Sequence, residues 1–253
     1  MRVAVAGGHG KVARHLSRAL SARGDVPVAL IRSLDQVDDV VSDGAEAVVL
    51  DLERCNVEDV ANAIRGADAV VFAAGAGPGS GVPRKDSVDR AAAALLADAA
   101  QSAGVRRYVL VSSMNVDREP PPGTDDVFAA YLRAKAASER DLRARDLDWT
   151  ILRPGRLTDD APTGRVRLDE VLDDDAPRAG DALRVGAGPR AGAGPRAGAE
   201  PGDASSGEVP RADVAAVVVA LLTTPTTAGR TLELVAGPLP IAATIAAPTH
   251  PTT

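Results

Sequence analysis

Two side chains in the middle of the sequence, Tyr131 and Lys135, have the residue types and the spacing of a proton-transfer pair. They are four residues apart in a segment of helical periodicity, so both project from one face of the predicted helix. An ammonium beside a phenol favours the phenolate, and such a tyrosine can protonate a carbonyl oxygen or deprotonate an alcohol. The chain has only two tyrosines and three lysines, so a chance Tyr-x-x-x-Lys is improbable. Two unrelated residues on an amphipathic helix remain the alternative.

A glycine-rich turn near the start of the chain predicts a site for the phosphates of a dinucleotide. Gly7, Gly8 and Gly10 follow a short apolar strand, and Lys11 begins a predicted helix. Glycine tolerates positive φ and lets a pyrophosphate approach the backbone, while Ala13 is small enough for the helix to pack close to the strand. The spacing is Gly-x-x-Gly-x-x-Ala. A tight turn without a ligand is the alternative.

The end of the second predicted strand indicates which dinucleotide is bound. An acidic residue at this point would accept hydrogen bonds from the ribose 2′-hydroxyl of NAD. The chain has Arg32 and Ser33 there instead, and a guanidinium and a hydroxyl suit a 2′-phosphate. We therefore expect NADP rather than NAD. An ordinary solvated arginine at a strand end, with Asp35 as the displaced acid, is the alternative.

The elements that must position these residues alternate along the first 150 residues. Short β-branched runs are separated by segments of helical period and composition. The predicted strands are 3–6, 26–31, 47–50, 69–72, 108–111 and 149–152, and the predicted helices are 11–22, 57–64, 89–103 and 126–144. Strand followed by helix, repeated, predicts an α/β fold with a Rossmann-type, doubly wound parallel sheet.

After residue 152 the pattern loosens. A helix over 209–222 and a strand over 230–235 suggest a small C-terminal appendage on the substrate side of one domain that spans 1–253. Between these two elements and the main body lies a segment of Gly, Pro, Ala and Arg, roughly 177–207, in which Gly-Pro-Arg-Ala-Gly-Ala occurs at 188–193 and again at 194–199. Such a segment buries too little apolar surface to offset its ordering entropy, so we expect a mobile insertion. The Pro- and Thr-rich end, 246–253, is expected to be loose.

Composition argues against several classes of partner. The net charge of −6 and an aromatic content of 2% do not suit nucleic acid. No apolar run approaches the ~20 residues of a membrane helix, and the N-terminus has no secretory signal pattern. One cysteine, Cys55, excludes an internal disulfide, and three scattered histidines make no metal site. We expect a cytoplasmic protein with a small-molecule substrate and no metal.

Four segments taken together resemble the short-chain dehydrogenase/reductase superfamily. They are the glycine turn, Ser112-Ser113 at the end of the fifth predicted strand, Tyr131-x-x-x-Lys135, and Thr-Ile-Leu-Arg-Pro-Gly at 150–155. They are most similar to its atypical branch with an extended-type glycine motif, related to NAD(P)-dependent epimerase/dehydratase and NmrA-like proteins. The resemblance covers about residues 1–175 and resumes near 209–237. It implies a Rossmann fold and hydride transfer with a nicotinamide cofactor.

The resemblance also implies roles for individual positions. Ser113 would bind the substrate oxygen, Tyr131 would be the acid/base, and Lys135 would bind the nicotinamide ribose and orient the tyrosine. Asp89 is also a candidate catalytic residue, but the extended family usually has Asn at this position, and this departure argues against a conventional four-residue proton relay. An acid in the first turn of a helix is the alternative interpretation of Asp89. Ser112-Ser113 could equally just end a strand. The implied cofactor contacts are Gly7, His9, Gly10, Lys11, Val12, Arg32, Ser33, Asp51, Leu52, Ala73, Ala74, Gly75, Lys135, Pro154 and Gly155.

The short C-terminal part limits the substrate. About 100 residues follow the last strand of the first half, fewer than a nucleotide-sugar epimerase needs for its substrate lobe. The leading hypothesis is an NADP(H)-dependent oxidoreductase for a small carbonyl, quinone or flavin-like compound. A non-catalytic NADP(H)-sensing regulator and an NAD(P)-dependent epimerase or dehydratase are the alternatives. The chain is expected to be a monomer or a homodimer, the latter by analogy only.

Overall fold

The computed structural model describes residues 1–77, 79–120, 123–171 and 207–246 of the chain. Within these ranges a nine-stranded sheet has the order β3-β2-β1-β4-β5-β6-β10-β8-β11, and β7 and β9 form a separate parallel pair. The strands are β1 (Arg2–Ala6), β2 (Val26–Ile31), β3 (Glu46–Val49), β4 (Ala69–Phe72), β5 (Arg107–Val111), β6 (Asp148–Pro154), β7 (Arg156–Thr158), β8 (Arg165–Val171), β9 (Glu208–Pro210), β10 (Arg230–Ala236) and β11 (Leu239–Pro240).

Helices cover both faces of the sheet. They are α1 (Lys11–Ala22), α2 (Val37–Ser42), α3 (Val57–Ile64), α4 (Val82–Arg84), α5 (Ala92–Ala103), α6 (Asp126–Arg143), α7 (Arg211–Leu222) and α8 (Ile241–Ala246). A π-helical segment, Lys85–Ala91, joins α4 to α5. Short 3₁₀ turns occupy Leu34–Gln36 and Pro225–Thr227.

The alternating side chains of β1 explain why the sheet is buried on both sides. Val3 and Val5 pack into one core with α1 and α7, whereas Ala4 and Ala6 pack into another with α3 and α5. Successive residues of a strand point to opposite faces, so an apolar run without alternation needs a helix layer on each face. The apolar runs of the first half therefore specify a two-faced α/β sheet.

The strand order of the sheet changes direction at β1, because β2 and β3 lie on one side of it and β4 to β6 on the other. This change of direction determines where a binding crevice forms. Val5 pairs in parallel with Ala29 of β2 on one side and with Val71 of β4 on the other. The chain crosses to opposite faces at this point, which leaves a crevice at the carboxyl ends of β1 and β4. The predicted Rossmann-type sheet is confirmed, with an antiparallel extension in which β8 pairs with β10.

Two sequence predictions need correction, and two others fall on residues outside the described ranges. The predicted helix 89–103 begins earlier, at Val82, and contains the π-helical segment. The predicted helix 209–222 is wrong at its start, because Glu208–Pro210 pair with Arg156–Thr158 as a strand before α7 begins. Residues 177–206 of the low-complexity segment and 247–253 of the C-terminal end lie outside the described residues. Across the described ranges no helix is long and apolar enough to span a membrane.

Candidate functional site

The glycine turn between β1 and α1 lies against the neighbouring strands. Gly7 has a φ of +73°, and a Cβ on it would lie 2.5 Å from Cα of Ala74. A Cβ on Gly8 would lie 2.6 Å from Cβ of Ala29. Only glycine fits at both positions, so the backbone of this turn, rather than side chains, forms the cavity wall.

The N-terminus of α1 opens onto the same cavity. The N–H of Gly10 donates to the carbonyl oxygen of Gly7 at 2.8 Å, and Gly10 precedes α1 without a side-chain cap. The first-turn N–H groups of an uncapped helix are donors without helical acceptors, and the helix dipole is positive at this end. The turn and the helix start therefore suit the phosphates of a dinucleotide.

A first cavity of about 350 Å³ extends from this turn across the carboxyl ends of β1, β2 and β4. It brings together most of the residues expected to contact the cofactor: Gly7, His9, Gly10, Arg32, Asp51, Leu52 and residues 73–75. Six expected contacts do not line it: Lys11, Val12, Ser33, Lys135, Pro154 and Gly155. Lys11 pairs with Asp159 at 2.5 Å, and the hydroxyl of Ser33 donates to Asp35.

Arg32 is exposed at the rim of the first cavity. Within the described part of the chain, its guanidinium has no hydrogen bond or ion pair. Two other arginines near the turn are already engaged, because Arg14 and Arg18 both bind Asp43. Arg32 therefore leaves a cation available at the end of β2, where a 2′-phosphate would lie.

Two carboxylates in or near the first cavity, those of Glu53 and Asp39, have lowered pKa values. Hydrogen bonds from Ser87 and then Arg84 lower the pKa of Glu53. A hydrogen bond with His9, whose Nε2 lies 2.7 Å from Oδ2 of Asp39, lowers the pKa of that carboxyl. The ring of His9 is thereby held to Asp39 of α2.

A second cavity of about 460 Å³ continues from the first, because residues 73–77 line both. It is lined by four of the site residues predicted from the sequence, Val12, Asp89, Tyr131 and Lys135. The two cavities form one cleft along the carboxyl edge of the sheet.

Asp89 and Lys135 form a buried ion pair at the base of the second cavity. Nζ of Lys135 lies 3.4 Å from Oδ1 of Asp89 and donates to the carbonyl oxygen of Val111 at 3.1 Å. Oδ2 of Asp89 accepts the N–H of Ala76 at 3.2 Å. Asp89 lies within the helical stretch that begins at Val82, so the interpretation as a first-turn helix acid does not hold.

Two ammonium groups lie near the ring of Tyr131. Nζ of Lys135 is 6.0 Å and Nζ of Lys85 is 5.4 Å from the ring centroid, and the ring of Phe128 stacks on it at 6.0 Å between centroids. Sequence reasoning missed Lys85 and Phe128. The available signal for Lys85 was the scarcity of lysine, since it is one of only three in an arginine-rich chain.

Ser112, rather than Ser113, is the serine that lines the second cavity. Its hydroxyl donates to Oε1 of Glu139 at 2.6 Å, and Glu139 in turn binds the guanidinium of Arg153 at 2.8 and 3.0 Å. All three side chains are buried. Sequence reasoning missed Glu139, and no spacing in the sequence links it to Arg153.

Pro154 and Gly155, which the resemblance places beside the nicotinamide, do not line either cavity. The N–H of Gly155 donates to Leu234 at 2.9 Å, and a Cβ on Gly155 would collide with the carbonyl group of Gly207. This glycine permits β7 to approach β9. In the part of the chain that the structure covers, no group of three or more His, Cys, Asp or Glu side chains could hold a metal ion.

Comparison with known proteins agrees with this geometry. A family model described as NAD(P)H-binding matches residues 7–182. The UPF0659 protein YMR090W of Saccharomyces cerevisiae is 35% identical over 179 residues, 70% of this chain and 78% of its own. The uncharacterized sugar epimerase YhfK of Bacillus subtilis is 28% identical over 243 residues, 96% of this chain and 97% of its own. The solved structure of a candidate NAD-dependent epimerase/dehydratase from Bacillus halodurans is 31% identical and has a TM-score of 0.75. The match covers 97% of this chain and 98% of that chain.

Proposed function

Since the chain belongs to the NAD(P)H-binding family, we propose that it is an NADP(H)-dependent oxidoreductase for a small carbonyl, quinone or flavin-like substrate, with Tyr131 as acid/base. The observation that carries the proposal is the position of Tyr131. The centre of its ring lies 5.4 and 6.0 Å from two ammonium nitrogens, in a cavity that continues into the one lined by the glycine turn. A proton donor thus lies at one end of a cleft whose other end suits a dinucleotide.

The first cavity would hold the cofactor. The turn at Gly7 to Gly10 and the uncapped start of α1 would bind the pyrophosphate, and Arg32 would bind the 2′-phosphate. When bound, the nicotinamide supplies or accepts the hydride. NADP is proposed over NAD because the guanidinium of Arg32 stands where an acidic residue would otherwise recognise the 2′-hydroxyl.

The chain's own residues would manage the proton. The phenol of Tyr131 would give its proton to the carbonyl oxygen in reduction and take it back in oxidation. The ammonium of Lys135 would stabilise the phenolate, because Asp89 and the carbonyl group of Val111 hold it beside the ring. Ser112 would offer a lone pair to the cavity, since its hydrogen is donated to Glu139.

Paired tyrosine variants test the proposal. General acid–base catalysis contributes about 10²- to 10⁴-fold, so Tyr131→Phe should lower kcat on a panel of aldehydes and quinones by roughly that factor. Affinity for NADPH, measured by calorimetry, should be unchanged. The matched control is Tyr108→Phe, because Tyr108 is fully buried and its hydroxyl donates to Ala93 outside both cavities. This control should keep its turnover, and retained turnover in Tyr131→Phe would overturn the tyrosine's role.

An epimerase or dehydratase is the second candidate, and the names of the Bacillus subtilis and Bacillus halodurans relatives favour it. Such an enzyme recycles its nicotinamide internally and tends to copurify with it. An oxidoreductase instead consumes NADPH in proportion to product. Cofactor content of the purified protein, and the ratio of NADPH consumed to product formed, therefore distinguish the two candidates.

A further inference from the structure

The ammonium of Lys85 is buried in the second cavity and has a neutral partner. The residue is 8% exposed, and its Nζ donates to the carbonyl oxygen of Gly77 at 3.0 Å. Among the described residues no carboxylate forms an ion pair with it. A buried charge is costly unless an opposite charge or several hydrogen bonds compensate it. Within the described ranges, the ammonium of Lys85 therefore lacks an anionic partner.

The carboxylates that line the same cavity are already engaged. Asp89 pairs with Lys135 at 3.4 Å and accepts the N–H of Ala76. Asp125 caps the N-terminus of α6 by accepting the N–H of Phe128 at 3.0 Å. Asp89 compensates the charge of Lys135, and of the two described lysines that line this cavity Lys85 is the one without a carboxylate partner.

An apolar surface lies beside this cation. Phe128 is 52% exposed, unusual for a large aromatic ring, and it stacks on Tyr131 at an interplanar angle of 24°. Val111 and Leu157 add apolar contact in the same cavity. A flat molecule could cover Phe128 while an acidic group on it reaches Lys85, because Nζ of Lys85 is only 5.4 Å from the centre of the Tyr131 ring.

We infer that the substrate of this site is an anion, an aromatic or conjugated carbonyl compound whose carboxylate or phosphate binds the ammonium of Lys85. The inference rests on the proposed function, because it names the class of substrate for the same cleft. The acidic group would fix the substrate at one end and leave its carbonyl group close to the phenol of Tyr131. A phosphate of the cofactor is the other anion that this ammonium could bind. The experiment must therefore distinguish binding of the substrate's acidic group from binding of a cofactor phosphate.

Equilibrium binding of two probes of equal shape tests the inference without turnover. Naphthoate and naphthamide are titrated calorimetrically into the full-length protein, with and without saturating NADP. Charge-assisted hydrogen bonds are about twice as strong as neutral ones, so the wild type should bind naphthoate about tenfold more tightly. Lys85→Gln should lose this preference and Lys85→Arg should keep it. Arg90→Gln is the matched control, since it removes a positive charge that pairs with Asp86 on the same π-helical segment.

Each outcome decides the inference. An equal affinity of the wild type for the two probes overturns it without any variant, as does a preference that survives in Lys85→Gln. Weaker NADPH binding in Lys85→Gln with unchanged naphthoate binding assigns the ammonium to the cofactor and also overturns it. Turnover on the carbonyl panel is a separate readout. If the wild type prefers naphthoate but turns over no compound of the panel, this inference is supported and the proposed function is overturned. If it turns over the panel but shows no preference for naphthoate, the proposed function is supported and this inference is overturned.

Discussion

The ammonium of Lys135 lies 3.4 Å from a carboxylate oxygen of Asp89, and both side chains are buried. One residue comes from α6 and the other from the π-helical segment, so the pair joins two helices beneath the cleft. A buried ion pair contributes little compared with an apolar pair, but loss of one partner leaves an uncompensated charge. Because Asp89 holds the ammonium of Lys135, the pair fixes the position of that ammonium relative to the ring of Tyr131, 6.0 Å away.

Replacing Asp89 should destabilise the protein more than replacing an exposed aspartate. Asp89→Asn leaves Lys135 buried without its anion, and we expect the free energy of unfolding to fall by about 3–5 kcal/mol. Asp86→Asn is the control, because its pair with Arg90 is exposed and contributes about 0–1 kcal/mol. Urea unfolding measures both. Equal losses in the two variants would show that the buried pair does not stabilise the fold.

The double variant Asp89→Leu, Lys135→Met separates stability from chemistry. It removes both charges, so much of the stability lost in Asp89→Asn should return. Turnover should stay low, because no ammonium remains on α6 beside Tyr131. Recovery of turnover together with stability would assign Lys135 a structural role only.

Arg32→Ala should weaken NADPH binding selectively. A charge-assisted hydrogen bond is worth about 1.5–3 kcal/mol, so affinity for NADPH should fall by roughly 10- to 100-fold while affinity for NADH is unchanged. Arg54→Ala is the matched control, because its side chain is 86% exposed after β3 and pairs only loosely with Asp51, at 3.6 Å. Calorimetric titration with both nucleotides gives the four affinities. An equal loss for NADPH and NADH would contradict the contact with the 2′-phosphate.

Periodicity predicted the elements that local sequence determines. The bounds of β2, β4, α1 and α3 agree with the predicted ranges 26–31, 69–72, 11–22 and 57–64. Buried parallel strands read as continuous apolar runs, and a one-sided helix repeats its apolar residues every three or four positions. The strand β8 was not predicted, because charged residues such as Arg167 and Asp169 interrupt it. It forms through antiparallel pairing with β10, which is a tertiary contact.

The residues of the candidate site were predictable from the sequence only where they lie on the same helix or turn, so that their spacing alone places them together. Tyr131 and Lys135 share a helix, so their spacing places them together. Asp89 is 46 positions from Lys135, and only the packing of α6 against the π-helical segment joins them. That segment inserts an irregular turn, so the face on which Lys85 lies cannot be derived from a 3.6-residue period. The assignment of Ser113 depended on alignment by resemblance, and a one-residue difference moves a side chain to the other face of a strand.

Alanine at Gly7 should affect both folding and cofactor binding. Its φ of +73° is unfavourable for alanine by about 1–2 kcal/mol, and contact with the backbone of Ala74 adds about 1–3 kcal/mol. Gly24→Ala is the matched control, since its φ is +80° and nothing lies within 4 Å of the new methyl group. Both variants carry the φ penalty, but only Gly7→Ala should weaken NADPH binding. Similar unfolding free energies and similar affinities in the two variants would show that the turn tolerates a side chain.

A carboxylate remote from the proposed chemistry should make folding dependent on pH. Asp43 follows α2, is 5% exposed, and accepts hydrogen bonds from Arg14 and Arg18 of α1. Burial raises the pKa of Asp43, but the two guanidinium groups outweigh burial, and the net effect lowers it. A carboxyl whose folded-state pKa is lowered stabilises the fold above its unfolded value, near 3.9, and this stability is lost as the pH falls through the folded value.

Asp43→Asn should therefore lower the free energy of unfolding at pH 7 by about 1–3 kcal/mol, because two charge-assisted hydrogen bonds are weakened. The difference from the wild type should begin to shrink as the pH falls below about 4, where the carboxyl of the unfolded chain takes up its proton, and should be lost once the pH falls through the lower folded-state pKa. Urea unfolding at pH 7 and pH 3 measures the change. Asp86→Asn provides the control, since its exposed pair with Arg90 should contribute less than about 1 kcal/mol at both values. A difference for Asp43→Asn that stays constant between pH 7 and pH 3 would mean that the ionised carboxylate does not link α1 to α2, and that its shape alone is what the fold requires.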